Sequence, residues 1–189
     1  LDNDSDLDVV VGESGGNLHF LENTGTTNAP AYTERVGAMN PFDGIDVGTF
    51  SAPALADIDG DGDPDALIGR GNGKIKHLEN SATNNTPLFA TSGVNAMAGV
   101  DVGSFSAPAV SDLDGDGDLD VVVGAYEGGL SYFENTGNAA YPTFVQRTGA
   151  DNPLNAVSVG FHSTPGVADL DGDGDQEAVV GESRGQLFY

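Results

Sequence analysis

Short runs of apolar residues alternate with segments rich in glycine and aspartate along the whole chain, and the order of these runs repeats about every 56 residues. Each full period contains a stretch of small residues, an aliphatic run that ends in glycine, a third run after a glycine turn, and a run with an aromatic residue after a proline. Short apolar runs bounded by turn residues predict strands, and no segment shows helical periodicity. The pattern therefore predicts an all-β chain with four antiparallel strands per period.

Dividing the chain at equivalent positions gives two full repeats and two partial ones. The full repeats are residues 51–105 and 106–162, and the partial ones are residues 1–50 and 163–189. The first repeat lacks the first strand of the unit and the last repeat lacks the fourth, so the chain holds 14 expected strands in about 3.4 repeats. Four strands in such a period are typical of a β-propeller blade. We therefore expect residues 1–189 to form one propeller segment with incomplete first and last blades.

An acidic loop of nine residues lies between the first two strands of the repeat. It reads DIDGDGDPD in residues 57–65, DLDGDGDLD in residues 112–120 and DLDGDGDQE in residues 169–177, and a shortened copy, DNDSDLD, occupies residues 2–8. Positions 1, 3, 5 and 9 carry carboxylates, position 7 offers its carbonyl oxygen, and the glycine at position 6 lets the chain turn back. This arrangement suits the large oxygen shell of Ca²⁺. The predicted ligands are Asp2, Asp4, Asp6, Asp8, Asp57, Asp59, Asp61, Asp63, Asp65, Asp112, Asp114, Asp116, Asp118, Asp120, Asp169, Asp171, Asp173, Asp175 and Glu177.

The loops fit calcium better than they fit other metals or other calcium motifs. Magnesium keeps more water and takes fewer carboxylates, and zinc takes histidine or cysteine. An EF-hand needs a glutamate at position 12 and a helix on each side, whereas position 12 here is Ile68, Val123 or Val180, inside predicted strands. The sequence therefore predicts three complete calcium sites and a fourth that lacks its first ligand.

The formal net charge is -24, and 19 of the 30 acidic residues belong to the four loops. Without a cation, each loop would hold four or five like charges close together, which opposes folding. We therefore expect calcium binding to be coupled to stability. A chain this acidic is unsuited to nucleic acid or to an anionic membrane, and it has no apolar run of 18 residues that could insert into a bilayer.

Three features together resemble a known family. They are the acidic loops, the Asp-Val-Val-Val-Gly strand, and the segments Phe50-Ser-Ala-Pro53 and Phe105-Ser-Ala-Pro108, whose third copy reads Phe161-His-Ser-Thr-Pro165. On these residues the chain resembles the FG-GAP and VCBS-type repeats of extracellular β-propellers, including the calcium-binding blades of integrin α subunits. The resemblance implies a structural or adhesive module beside adhesion or matrix proteins, or an accessory domain of a secreted enzyme.

The chain contains no cysteine, so it has neither disulfides nor thiol chemistry. An extracellular protein without disulfides needs another stabilising device, and millimolar external calcium can supply one. Cytosolic calcium is too scarce to fill sites of modest affinity. We therefore expect an extracellular or cell-surface location.

Three explanations stay open for the incomplete first and last repeats. The chain can be a segment of a longer propeller. It can also be a subunit whose open sheet edges pair with other chains, and head-to-tail pairing without closure would give a filament or another oligomer. Finally, two copies can form one ring, because twice the 14 expected strands equals seven blades of four. We expect protein partners, with self-association among them.

The three histidines give little support for catalysis. His77 aligns with strand-packing aromatic positions, His19 aligns with solvent-facing positions, and His162 lies in a connection between repeats. The histidines thus form no recurring constellation with a nucleophile. We expect no catalytic residue, although an enzyme domain that depends on His162 is a competing hypothesis.

A lectin-like carbohydrate-binding module is a further alternative. Tyr126 and Tyr141 are the candidates for stacking on sugars, although local packing is the role we expect for both. Any partner is expected to contact the long connections between repeats, residues 35–50, 92–105 and 147–162, because loops carry binding residues more often than strands do. Residues of exposed character in these connections are Phe42, Asp43, Asp46 and Asp151.

The chain also contains two N-glycosylation sequons, Asn3-Asp4-Ser5 and Asn84-Asn85-Thr86. The first falls inside an acidic loop, and the second falls in a connection where a glycan would be accommodated.

Overall fold

The computed structural model of the chain describes residues 1–2, 4–82, 86–90 and 95–189. In these residues the regular structure is β, apart from two single-turn 3₁₀ segments at Gly37–Met39 and Gly149–Asp151. The all-β prediction is confirmed, and no helix in the described ranges is long and apolar enough to cross a membrane. The strands are β1 (Val9–Gly12), β2 (Leu18–Asn23), β3 (Tyr32–Arg35), β4 (Ala52–Ala56), β5 (Asp65–Gly69), β6 (Ile75–Asn80), β7 (Phe89–Ala90), β8 (Ala107–Ser111), β9 (Asp120–Gly124), β10 (Leu130–Asn135), β11 (Phe144–Arg147), β12 (Thr164–Ala168), β13 (Glu177–Gly181) and β14 (Leu187–Phe188).

The strands form four antiparallel sheets, in each of which neighbours in sequence are neighbours in space. Sheet 1 contains β1 to β3, sheet 2 contains β4 to β7, sheet 3 contains β8 to β11, and sheet 4 contains β12 to β14. The repeated sequence also gives a repeated register, since Ala52 pairs with Gly69 in sheet 2 and Ala107 pairs with Gly124 in sheet 3. The sheets hold three, four, four and three strands, which agrees with the strands expected from the repeat.

The second strands of the two inner sheets are buried on both faces. Every residue of β5 and β9 is buried, which explains why these strands have continuous apolar sequences. Successive residues point to opposite faces, so Ala66 and Ile68 pack with sheet 1 whereas Leu67 packs with sheet 3. We call the face that packs on the following sheet the forward face and the other face the backward face. Three apolar clusters, one at each junction between successive sheets, form the core.

The connection between sheets 1 and 2 contributes to the first of these clusters. Phe42 is 2% exposed, and its ring lies 4.4 Å from the ring of Phe89. The expectation that Phe42 is exposed was therefore wrong, because the connection folds back over its own sheet and places this ring in the junction. Asp43, Asp46 and Asp151 are exposed, as expected.

A serine directly before the first strand of sheets 2, 3 and 4 forms hydrogen bonds with the backbone of the preceding sheet. Oγ of Ser163 accepts a hydrogen bond from the Ala125 amide (2.8 Å) and donates to the Gly129 carbonyl (2.9 Å), and the equivalent serines of β4 and β8 make the same contacts. Gly124 lies so close to the Ser163 carbonyl that a Cβ would not fit. In addition, β8 contacts both β4 and β12, so the first strands of sheets 2 to 4 lie side by side.

Candidate metal centre

The four acidic loops lie at one end of the sheets. Loop 2 (residues 57–65) begins directly after β4 and ends at the first residue of β5. Loop 3 (residues 112–120) and loop 4 (residues 169–177) occupy the same place in sheets 3 and 4, and loop 1 (residues 2–8) leads into β1. Asn3 of loop 1 lies outside the described residues. The predicted position of the loops, between the first and second strands, is therefore confirmed for loops 2, 3 and 4.

Three groups of carboxylates converge in loops 2, 3 and 4. In each group, three ligand oxygens lie within 4.8 Å of one another. Every group contains positions 1 and 3 of its loop, joined by position 5 in loop 2 and by position 9 in loops 3 and 4. Any of these groups can hold a cation, because their donors are all oxygen and they carry three negative charges. The groups are Asp57, Asp59 and Asp61; Asp112, Asp114 and Asp120; and Asp169, Asp171 and Glu177.

Hydrogen bonds within the loop aim these carboxylates inward. In loop 3 the Gly117 amide donates to Oδ2 of Asp112 (3.0 Å), and the Asp118 amide donates to Oδ1 of Asp116 (2.9 Å). The same two bonds occur in loops 2 and 4. The tight turn needs a left-handed backbone at position 6, where Gly117 has φ +94°, a conformation that glycine adopts at little cost. Asp63, Asp118 and Asp175, at position 7, were predicted to bind through their carbonyls, and that role stays a prediction.

Loop 1 differs from the others at position 6. Ser5 has φ +78° there, although residues with a Cβ rarely adopt this conformation. Asp2 and Asp4 still accept the loop bonds, from the amides of Asp4 (3.2 Å) and Asp6 (3.0 Å). Burial, followed by the charge of Asp4, raises the pKa of the Asp2 carboxyl. Loop 1 therefore keeps the turn of the complete copies with a residue less suited to it.

The carboxylate at position 9 joins its loop to two strands. Asp120 is 1% exposed and accepts hydrogen bonds from the amides of Leu113 (3.1 Å) and Asn135 (2.8 Å) and from the Tyr132 hydroxyl (3.0 Å). Asp65 accepts the two equivalent amide bonds in sheet 2, and the Asn23 amide donates to Asp8 in sheet 1 (2.9 Å). The predicted ligand at position 9 thus also fixes the loop to its sheet, a structural role that the ligand pattern had not suggested.

The negative charges in these loops destabilise one another. Burial, and then the charges of Asp65 and Asp61, raises the pKa of the Asp59 carboxyl. Burial and the charge of Asp116 likewise raise the pKa of Asp114. Within the described part of the chain, Oδ1 of Asp57 is buried and has no hydrogen-bond partner. A bound cation would offset the repulsion and give this oxygen a partner, so the donor set fits a metal ion.

His77, His19 and Tyr141 lie at three different places in the sheets. The His77 side chain is buried in its strand, as predicted, with Nε2 3.7 Å from Asp65 Oδ2. His19 is partly exposed and contacts Glu34 (2.8 Å). Tyr141 is 79% exposed and lines a cleft of about 310 Å³ beside His77, so local packing was the wrong expectation for this residue.

Sequence reasoning missed a row of aromatic side chains at the opposite end of the sheets. Phe50, Phe105 and His162 each precede the serine of a first strand and have φ of 55°, 52° and 55°. With Tyr126 and Phe161 they form a continuous row whose neighbouring ring centroids lie 4.7–5.8 Å apart. Their matching position before each serine was the signal that could have revealed the row. Strained backbone of this kind concentrates at functional sites.

The fold and the loops define an all-β repeat protein with a carboxylate cluster in each of three sheets. The FG-GAP-like repeat family matches residues 1–68 and 112–180, which is more than half of the chain. The chain belongs to the FG-GAP-like repeat family, so the resemblance seen in the sequence is confirmed. No curated protein matches the chain. The second sequon (residues 84–86) falls mainly outside the described residues, as does Asn3 of the first, so glycosylation stays a prediction.

Proposed function

We propose that the chain is a calcium-stabilised segment of an extracellular β-propeller that serves as a structural or adhesive module and has no catalytic role. The observation that carries the proposal is the recurrence of one carboxylate cluster at the same point of three successive sheets. Such a recurrence is expected of a device that stabilises each repeat unit. A catalytic site would instead combine different residue types at one place.

Calcium is the metal that best suits these clusters. Each offers carboxylate oxygens and backbone carbonyls from a flexible, glycine-containing loop, and calcium accepts six to eight such ligands in variable geometry. The predicted ligand set places positions 1, 3, 5, 7 and 9 around one ion. In loop 3, for example, Asp112 would supply the first ligand and Asp120 the last. Bound calcium would supply positive charge that offsets the repulsion within the loop.

The propeller architecture is supported by the way in which the sheets pack. Sheets 1, 2 and 3 each pack the forward face on the backward face of the following sheet, and the first strands of sheets 2 to 4 lie side by side. Both features are expected of blades around a common axis. Closed propellers have about four to eight blades of four strands, so the sheets described here would form an arc of one.

An extracellular adhesive role follows from family membership and composition. FG-GAP repeats occur typically in extracellular or surface proteins and act there as structural modules. The absence of cysteine fits a fold that calcium stabilises in place of disulfides. The aromatic row, in which Phe50 is 47% and Phe161 is 45% exposed, gives an adhesive module an apolar contact surface at the end opposite the metal loops.

The calcium proposal is tested by removing two ligands from one loop. Asp114→Ala combined with Asp116→Ala should lower the calcium stoichiometry measured by calorimetry by one ion and should lower Tm by about 5 °C or more. The matched control is Asp43→Ala with Asp151→Ala, which changes the net charge equally at exposed positions outside the loops. Unchanged stoichiometry and Tm in the loop variant would rule out the assignment, whereas equal effects in both variants would point to net charge alone.

A further inference from the structure

Strands β2, β6 and β10 each carry a glutamate near their end, on the forward face of the sheet. In sheet 1, Glu22 accepts two hydrogen bonds from the Arg35 guanidinium, one from Nε (2.8 Å) and one from Nη2 (2.6 Å). In sheet 3, Arg147 donates the same two bonds to Glu134, at 2.8 and 2.6 Å. Two parallel bonds of this kind are the geometry in which a carboxylate recognises a guanidinium. The repeat therefore contains a guanidinium site, which an arginine of the next strand fills in sheets 1 and 3.

Sheet 2 has the glutamate without the arginine. Glu79 of β6 occupies the place of the other two glutamates, but the residue aligned with the two arginines is Ser92, which lies outside the described residues. Glu79 forms no salt bridge with any described residue, and the residues outside the described ranges include no lysine, arginine or histidine. The half-buried carboxylate of Glu79 is thus a guanidinium acceptor for which this chain supplies no cation.

Glu79 lines an open cleft between sheets 2 and 3. The cleft has a volume of about 310 Å³, and its other walls include Asp59 of loop 2, the His77 side chain and, from sheet 3, Tyr141. Tyr141 is 79% exposed, and its amide donates a hydrogen bond to Oδ1 of Asn138 (3.1 Å), which fixes the turn before β11. Both walls belong to four-stranded sheets that pack against a neighbouring sheet on each side. The cleft is therefore a preformed feature of the interior of the chain.

A guanidinium suits this cleft in both shape and charge. Its planar group can pair with Glu79 as the two arginines pair in sheets 1 and 3, and Tyr141 offers an aromatic ring on which it can stack. The residue equivalent to Tyr141 in sheet 2 is Thr86, which lines the cleft that Arg35 already occupies. The aromatic wall is thus found where the arginine is missing. Loop 2 stays negative even with calcium bound, because its five aspartates outnumber the two charges of the ion, and the site attracts a cation.

We propose that the cleft between sheets 2 and 3 binds an arginine side chain of a partner protein, with Glu79 pairing with the guanidinium and Tyr141 stacking on it. The partner presents this arginine on a basic segment, because the arginines within the chain show which group the glutamate of the repeat accepts. The inference rests on the proposed adhesive function, to which it adds the chemistry of the partner. It assigns no recognition role to the metal ligands, since Asp59 is left to the calcium ion.

Peptide binding to the full chain in saturating calcium tests the proposal. The probe is a tripeptide with arginine between two glycines and blocked ends, and the matched probes carry citrulline or lysine at the central position. The amide resonances of Glu79 and Tyr141 should shift at millimolar concentrations of the arginine peptide. The citrulline peptide keeps the shape without the charge and should bind about tenfold more weakly or worse. The lysine peptide should also bind more weakly, because an ammonium group cannot form the bidentate pair.

Variants of the cleft show which residues hold the peptide. Glu79→Gln should weaken binding of the arginine peptide by about tenfold or more, and Tyr141→Ala by about threefold to tenfold. Neither side chain is fully buried, so both variants should fold, which thermal melting and calcium stoichiometry check. The control is Glu127→Gln, which makes the same charge change at an exposed turn residue outside the cleft and should bind like the parent.

Sheet 1 allows the reverse experiment. Arg35→Ser leaves Glu22 in the situation that Glu79 has in sheet 2, so a second group of resonances, around Glu22, should shift with the arginine peptide. The affinity there should be lower than at Glu79, because Thr86 offers no ring for stacking. The parent chain, in which Arg35 already pairs with Glu22, should show no shift at this place.

Three results would overturn the proposal. They are unchanged cleft resonances at about 20 mM arginine peptide, equal affinity for the arginine peptide and either matched probe, and parental binding by Glu79→Gln. The calcium proposal fails or survives separately. Asp114→Ala with Asp116→Ala changes loop 3, which does not line the cleft, so this variant should lose a calcium ion and still bind the peptide.

Discussion

Loops 3 and 4 have nearly the same sequence, but their surroundings differ. In loop 3, Asp120 is buried and accepts three hydrogen bonds, one of them from the Tyr132 hydroxyl. In loop 4, Glu177 is only partly buried and accepts a bond from the Leu170 amide (2.8 Å). The hydroxyl that would match that of Tyr132 belongs to Tyr189, which is 82% exposed.

Two of the bonds that Asp120 accepts come from Tyr132 and Asn135 on the third strand of its own sheet, and Tyr132 is buried in the junction with sheet 4. Sheet 4 packs on the forward face of sheet 3 and covers the strands that hold Asp120, whereas the forward face of sheet 4 is exposed. Ser111, which ends β8, reaches across this junction to Gln176 in loop 4 (2.6 Å). A ligand motif therefore sets which oxygens converge, and the packing of successive sheets sets how firmly they are held.

Among the substitutions that test this comparison, Asp120→Asn is expected to lower the free energy of unfolding most. The substitution removes a predicted metal ligand and puts an amide group where buried donors need an acceptor. We expect the free energy of unfolding in calcium to fall by about 3 kcal/mol, measured by urea denaturation. In excess chelator the loss should be smaller, because removing one carboxylate also relieves repulsion within the loop.

Glu177→Gln is the matched change in loop 4. Its side chain is more exposed and accepts a bond from the Leu170 amide alone among the hydrogen bonds of the described residues. We expect a loss of about 1 kcal/mol or less. Equal losses for Asp120→Asn and Glu177→Gln would show that ligand loss dominates and that the covering sheet has little influence.

Much of the fold could be predicted from the sequence because the repeat is visible in it. The aliphatic runs ending in glycine predicted the second strands, and the acidic loops predicted the connections between first and second strands. The sequence could not show that Phe42 folds back into a junction, since a connection has no periodicity from which to predict burial. The burial of Tyr132, which donates a hydrogen bond to Asp120, also involves sheet 4, far from it in sequence.

Part of the candidate site was likewise beyond the sequence. The convergence of positions 1 and 3 follows from loop spacing, and the structure brings them together in three loops. The bonds that hold position 9 come from the third strand, fifteen residues away in both Asn80 and Asn135. The matching positions of Phe50 and His162 before a serine are visible in the sequence, but their stacking into one row depends on contacts between sheets that the sequence does not show.

A smaller effect is expected when the bonding of loop 3 is made to resemble that of loop 4. Tyr132→Phe keeps the ring in the core and removes the hydroxyl that donates to Asp120 (3.0 Å). Phe20 occupies the same position in sheet 1 and is 3% exposed, so the ring alone fits this site. The loss in the free energy of unfolding should be about 1 kcal/mol.

The control for Tyr132→Phe is Tyr126→Phe, which removes a hydroxyl outside the loops. It should change the free energy of unfolding by less than about 0.5 kcal/mol. Calcium affinity should decrease for one site only in the Tyr132→Phe chain. An affinity unchanged at every site would show that the hydroxyl stabilises the sheet without positioning the carboxylate.

The smallest effect, and the only stabilising one, is expected from Ser5→Gly in loop 1. Ser5 has φ +78°, and the complete loops have glycine at this position with φ between +94° and +100°. Glycine relieves a strain of about 1 kcal/mol but also increases the entropy of the unfolded chain. The Ser5 carbonyl that accepts a bond from the Thr27 hydroxyl (3.3 Å) is retained. The net gain in the free energy of unfolding should be about 0.5 kcal/mol, measured by urea denaturation in calcium.

The reverse change in loop 3 provides the control. Gly117→Ala should destabilise the chain by about 1 kcal/mol or more, because its backbone lies in the left-handed region at φ +94°. If Ser5→Gly instead lowers stability, loop 1 does not form the turn of the complete copies when it folds. In that case the residue at position 6, and not only the packing of the neighbouring sheet, would determine how stable each loop is.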